Sequence, residues 1–142
     1  MPVLLKKRYP ARLEYLQQFM EAISHCAKEQ GFDKKRISEI ELAAEEVLVN
    51  IFNYAYPGNE GDVEVICKLD PQDRLIIEIL DSGVPFDMLS LGEPDTTADI
   101  SERKVGGLGI FLIRKLMDDV QYRHKRTKNV LSLIVNKNKG KE

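Results

Sequence analysis

The feature that most constrains the fold is a pair of alternating stretches around one turn. Val63, Val65, Cys67 and Leu69 alternate with Glu64 and Lys68, and after Asp70-Pro71-Gln72-Asp73 the residues Leu75, Ile77 and Ile79 alternate again. A period of two on both sides of a turn gives two strands joined as a hairpin, and so an antiparallel sheet with one apolar face. Asp81 shares the parity of Leu75, Ile77 and Ile79, so its carboxylate is expected on that face.

An apolar sheet face has to be covered, and the flanking sequence supplies the cover. A segment opening at Pro10 carries Leu13, Leu16, Met20, Ile23 and Ala27 at helical spacing and stops at Gly31. Asp33 is placed to cap a second helix that runs to about Tyr56 before Pro57-Gly58-Asn59, and a third fits Leu108 to Met117. Strands are expected at residues 3 to 8, 120 to 124 and 130 to 135, the last two around a basic turn. The order β-α-α-β-β-α-β-β points to an α+β, two-layer sandwich, with helices on one face of a mixed, mostly antiparallel sheet. At 142 residues the chain is one domain, 1–142, with 136–142 expected as a flexible tail.

Charge and composition remove several function classes. With 21 basic and 23 acidic side chains the net charge is −2, so no excess positive field is present to hold nucleic acid or an anionic membrane. The apolar residues at 3 to 5 are too few for a signal sequence, and a cytoplasmic location is expected. Cys26 and Cys67 lack metal or redox spacing and read as buried reduced thiols. His25 and His124 read as surface or satisfied histidines.

Three features carry chemistry. Glu46, Asn50 and Asn53 recur at i, i+4 and i+7 on the second helix, which makes them either a solvated stripe or a carboxylate and an amide aimed at one site. Asp81 leads into Ser82-Gly83, and is either a turn-forming acid or a buried acceptor for a ligand amine. Gly106-Gly107-Leu108-Gly109 runs into the third helix, where it is either a plain hinge or a backbone cradle for phosphate at the positive end of the helix dipole. It is no P-loop, and the third glycine of a dinucleotide fingerprint would fall on Leu112. Between the last two features, residues 82–105 show no period, and a loop that long between glycines is a candidate lid.

Together and in this order, these features resemble a known family. Glu46-x-x-x-Asn50 looks like the N box, Asp81-x-Gly83-x-x-Phe86 the first glycine box and Gly107-x-Gly109 the second glycine box of the GHKL, or Bergerat-fold, ATP-binding proteins. The whole chain is similar to the branch of anti-sigma factor serine kinases, most specifically in residues 45 to 50, in Tyr54-Ala55-Tyr56 and in residues 106 to 119.

The resemblance implies ATP and Mg²⁺ as cofactors, with Asn50 on the metal and Glu46 orienting or deprotonating the attacking hydroxyl. It further implies that Asp81 reads the adenine amine above Gly83, with Asn53 and Phe86 in the same site. Gly106, Gly107, Leu108 and Gly109 would meet the phosphates, with Arg103 and Lys104 at the lid's end as further phosphate contacts. The third glycine box is missing: Arg126-Thr127-Lys128-Asn129 stands in its place, and only Thr127 is offered as a contact. Glu45 lies ~100° around the helix from Glu46 and is expected off the site.

The function so implied is an anti-sigma factor that phosphorylates a serine of an anti-anti-sigma partner of the STAS type and sequesters a sigma factor, as a homodimer formed through the first strand and helix. The alternative is a nucleotide-gated binding module without turnover. A two-component histidine kinase is disfavoured, because His25 is followed by Cys26 where such phosphoacceptor helices carry an acid.

Overall fold

The computed structural model describes residues 2–91 and 107–137. In chain order these residues form β1 (Val3–Pro10), a 3-10 turn (Leu13–Tyr15), α1 (Leu16–Glu29), α2 (Lys34–Tyr54), β2 (Asp62–Leu69), β3 (Leu75–Asp81) and a second 3-10 turn (Met88–Leu91). They continue with α3 (Gly107–Leu116), β4 (Asp119–Lys125) and β5 (Lys128–Val135). The order is the expected β-α-α-β-β-α-β-β.

The strands form a five-stranded sheet in the order β1-β2-β3-β5-β4, and every pairing among the described residues is antiparallel. The last hairpin is therefore inserted the other way round from its sequence order. β5 pairs directly with β3, β4 takes the outer edge, and Asp81 lies opposite Asn129.

One face of the sheet is packed against the helices. Val63, Val65, Cys67, Leu75, Ile77 and Ile79 are fully buried beneath Phe19 and Ile23 of α1, Ile40, Ala44 and Val47 of α2, and Ile110 and Ile113 of α3. Both thiols are free and buried in this core, as expected. They meet there: a hydrogen bond to Cys26, together with burial, pushes the Cys67 thiol far up, while the same contact lowers that of Cys26 against the effect of burial. The helix-free face is centred on Glu78, which is buried between Lys68 Nζ at 3.0 Å and Arg123 Nη2 at 3.2 Å.

Local signals explain most boundaries. Asp33 caps α2 by accepting from the Arg36 amide at 2.8 Å, and Gly31 takes φ +88° just past α1, a conformation that favours glycine. The buried Arg36 guanidinium then ties α2 to the Leu116 carbonyl at 2.6 Å and to Asp118 at 2.6 Å. The start of the first helix differs from expectation. Pro10 still pairs with Asp62, the Ala11 amide donates to the Gly61 carbonyl at 2.8 Å, and α1 begins only at Leu16, which leaves Leu13 66% exposed. β1 is an edge strand, where a proline costs no ladder hydrogen bond, so the strand extends through it.

Candidate functional site

The second helix places the first two polar groups. Glu46 and Asn50 are one turn apart, and Asn50 is buried at 3% exposure. Its Nδ2 donates to the Glu46 carbonyl at 2.6 Å and to Glu46 Oε2 at 3.1 Å. Its Oδ1 is buried and has no hydrogen-bond partner among the described residues. Leaving a buried acceptor unmade costs about 1–3 kcal/mol, so the site is built around a donor or cation that the described residues do not supply.

The third helix closes on the same carboxylate. A Cβ at Gly109 would stand 2.3 Å from Glu46 Oε2, so only glycine lets the first turn of α3 lie against it. That turn is also where a helix presents N–H groups with no partner of its own. The Gly107-x-Gly109 pattern thus brings donor-rich backbone beside Glu46, one turn from the unpaired oxygen of Asn50.

The strand-end acid forms the other end. Asp81 is 6% exposed, and its Oδ1 accepts from the Gly83 amide at 2.8 Å and from Asn129 Nδ2 at 2.8 Å. Its Oδ2 accepts nothing from the described residues. Gly83 is fixed by closeness: a Cβ there would fall 2.1 Å from the Ala55 carbonyl oxygen, which already accepts from the Val84 amide at 2.7 Å. The Tyr56 hydroxyl pins the preceding residue, accepting from the Ser82 amide at 2.7 Å and donating to the Asp62 carbonyl at 2.7 Å. Burial pushes that phenol's pKa up.

Between these ends lies one cleft. Its walls are largely apolar, with Val47, Ile51, Ile79 and Leu131 below and Tyr54 and Phe86 toward the rim, and the polar side chains Asn50, Asp81, Tyr122 and Asn129 also line it. An apolar slot with a few convergent polar groups is the usual form of a small-molecule site. Among the described residues no group of three or more His, Cys, Asp or Glu side chains could hold a metal alone. A cation on Asn50 Oδ1 would need most of its ligands from a bound anion, as Mg²⁺ at a nucleotide does.

The sequence-expected residues divide clearly. Asn50, Asp81 and Phe86 line the cleft, the Gly83 loop borders it through Val84, and Glu46 and Gly109 meet one helical turn from Asn50. Gly107 and Leu108 open α3. Asn53 is exposed and lines nothing, because position 53 turns out of the groove that Asn50 enters, and Glu45 points outward as expected. Thr127 sits in the exposed β4–β5 turn away from the cleft. The residue that reaches it is Asn129, whose Oδ1 accepts from the Tyr122 hydroxyl at 2.7 Å and lies 2.9 Å from His124 Nδ1. Sequence reasoning missed Asn129 because its approach depends on β5, and not β4, pairing with β3. Arg103, Lys104, Gly106 and most of the expected lid lie outside the described residues.

Comparison with known proteins places the chain in a family. Residues 9–135 match the family described as Histidine kinase-like ATPase domain. The serine-protein kinase RsbW of Bacillus cereus (strain Q1) is 31% identical over 131 residues, covering 89% of this chain and 81% of that protein. Two solved structures share the fold. The RsbU and RsbW domains of Rv1364c from Mycobacterium tuberculosis give a TM-score of 0.65 at 16% identity, covering 96% of this chain and 32% of that one. The SiaB-SiaC complex from Pseudomonas aeruginosa gives 0.62 at 14% identity, covering 94% and 89%. The chain therefore belongs to the histidine kinase-like ATPase domain family, among the relatives of the serine-protein kinase RsbW.

Proposed function

We propose that the chain is an ATP-dependent protein serine kinase that acts as an anti-sigma factor: it phosphorylates a serine of a STAS-type anti-anti-sigma partner and sequesters a sigma factor. The observation that carries this reading is the buried Asn50 Oδ1, without a partner among the described residues, beside Glu46 and in one cleft with Asp81. The names of the RsbW relatives support the reaction, and likeness to a chain of the SiaB-SiaC complex supports a second protein as partner. A homodimer acting in the cytoplasm belongs to the same reading. Among the described residues no helix is long and apolar enough to cross a membrane.

Each residue then has a task. Asp81 Oδ2, an acceptor without a donor among the described residues, takes the amine of adenine, while the apolar walls hold the ring. Asn50 Oδ1 is the protein ligand for Mg²⁺, which supplies charge neutralisation on the phosphates. The first turn of α3 offers backbone N–H groups to those phosphates. Glu46 is held by Asn50 Nδ2 and by its contact with Gly109, so its carboxylate is oriented to accept the proton of the attacking serine hydroxyl.

The test is phosphoserine formation on a STAS-domain partner with labelled ATP, comparing the native chain with Glu46→Gln. The substitution should lower transfer about 100-fold or more with nucleotide binding retained, the usual range for losing a general base. Undiminished transfer contradicts the role of Glu46. Binding without transfer in the native chain would make it a nucleotide-gated binding module.

A further inference from the structure

We propose that Asn129, clamped at its Oδ1 by Tyr122 and His124, is the positioning residue that makes the cleft select a 6-amino over a 6-oxo purine. The proposal rests on the nucleotide reading above and concerns a residue to which that reading gives no task.

The hydrogen-bond roles around Asn129 are forced by chemistry. Its Nδ2 is surrounded by three acceptors: Asp81 Oδ1 at 2.8 Å, the Gly83 carbonyl at 3.2 Å and the Val84 carbonyl at 3.3 Å. None of these can donate, so the amide nitrogen must face them. Its Oδ1 meets the Tyr122 hydroxyl at 2.7 Å and His124 Nδ1 at 2.9 Å, and both can donate. The side chain is 4% exposed and its amide is fully used, one hydrogen on Asp81 and the other shared between two loop carbonyls. It has nothing left to offer a ligand, so it acts through Asp81.

The consequence falls on the carboxylate. Two donors, Asn129 Nδ2 and the Gly83 amide, converge on Oδ1, which fixes the plane of the group and leaves Oδ2 as the acceptor for whatever enters. A fixed acceptor rewards a ligand edge that donates there, as a 6-amino group does. It penalises a 6-oxo group, whose oxygen would face it with no proton between them. Without Asn129 the carboxylate is free to turn and take water, and the penalty on the oxo group is relieved. The same amide ties the Gly83–Val84 carbonyls to β5, so the loop under the base and the group reading its edge are set together. The three acceptors around Nδ2, together with the two donors on Oδ1, keep the amide from flipping, because a flip would set Oδ1 against the acceptors.

Calorimetric titration with the magnesium salts of ATP and ITP, which differ at the 6-position, tests this on the full chain. The native chain should bind ATP at least tenfold more tightly than ITP. Asn129→Ala should shrink that ratio at least fivefold, mainly by tightening ITP relative to ATP. Asn129→Leu removes the same amide donor at similar volume. It should shrink the ratio similarly, and it carries the test if Asn129→Ala does not fold. An unchanged ratio in either folded variant overturns the proposal while leaving the nucleotide reading intact. A native chain that binds both triphosphates equally also overturns it, and one that binds neither removes the nucleotide reading and this proposal together.

Discussion

Asn50 keeps a buried oxygen unpaired, and two glycines are held where any side chain would collide; these residues set the terms of the site. Replacing Asn50 by Leu removes the orphaned acceptor at similar volume, so stability should stay level or rise by about 1 kcal/mol while magnesium-dependent nucleotide binding falls tenfold or more. Denaturant melts and titrations with and without EDTA read the two effects separately, and a less stable variant with intact metal dependence contradicts the assignment. The glycines separate in the same way. A Cβ at Gly109 meets only side-chain atoms of Glu46, which must swing aside, so Gly109→Ala should cost less stability than Gly83→Ala and lower phosphoryl transfer. A Cβ at Gly83 meets the backbone of Ala55, so Gly83→Ala should cost about 2–3 kcal/mol of stability, which urea unfolding measures. That Glu46 and Asn50 share one helix face, and that Asp81 ends a strand on the helix-covered face, was legible in the sequence, because spacing and parity carry it. The exposure of Asn53 and Thr127 outside the cleft was not legible that way, since whether a polar residue turns into a cleft depends on which neighbours wall it.

Among the elements, the β2–β3 hairpin was readable almost to the residue, because alternation and turn chemistry are both local. Its turn holds a testable electrostatic detail. Burial alone would raise the Asp70 carboxyl, but the Arg74 amide and guanidinium, at 2.8 and 2.7 Å, hold it below the usual carboxylate range, helped by the Gln72 amide. A lowered folded-state pKa stabilises above the unfolded value of about 4, and that stability is lost as pH falls through the folded value. Melting temperatures of the native chain and Asp70→Asn should therefore differ at neutral pH and converge as pH drops below about 4. A constant gap would show that the ion pair contributes nothing through titration. The first helix was less legible: the spacing of Leu13 with Leu16 suits a helix, but pairing of β1 through Pro10 captures the chain first. Local propensity yields there to a long-range ladder, which a single sequence does not display.

For the molecule as a whole, the strand order β1-β2-β3-β5-β4 converts scattered signals into one site. Placing β5 beside β3 sets Asn129 opposite Asp81, while α2 and α3 cover the same sheet face and bring Glu46 to Gly109. The layers and the element order followed from hydrophobic period alone. The inverted final hairpin did not, since either insertion buries the same residues of β5. The central claim is that this cleft takes a magnesium-bound adenine nucleotide, and titration of the native chain and of Asp81→Asn with MgATP tests it most directly. One nucleotide should bind per chain, raising stability by about 2.7 kcal/mol at a hundredfold excess over Kd, and Asp81→Asn should weaken binding tenfold or more. A native chain that shows neither heat nor any rise in melting temperature at millimolar MgATP would contradict that claim.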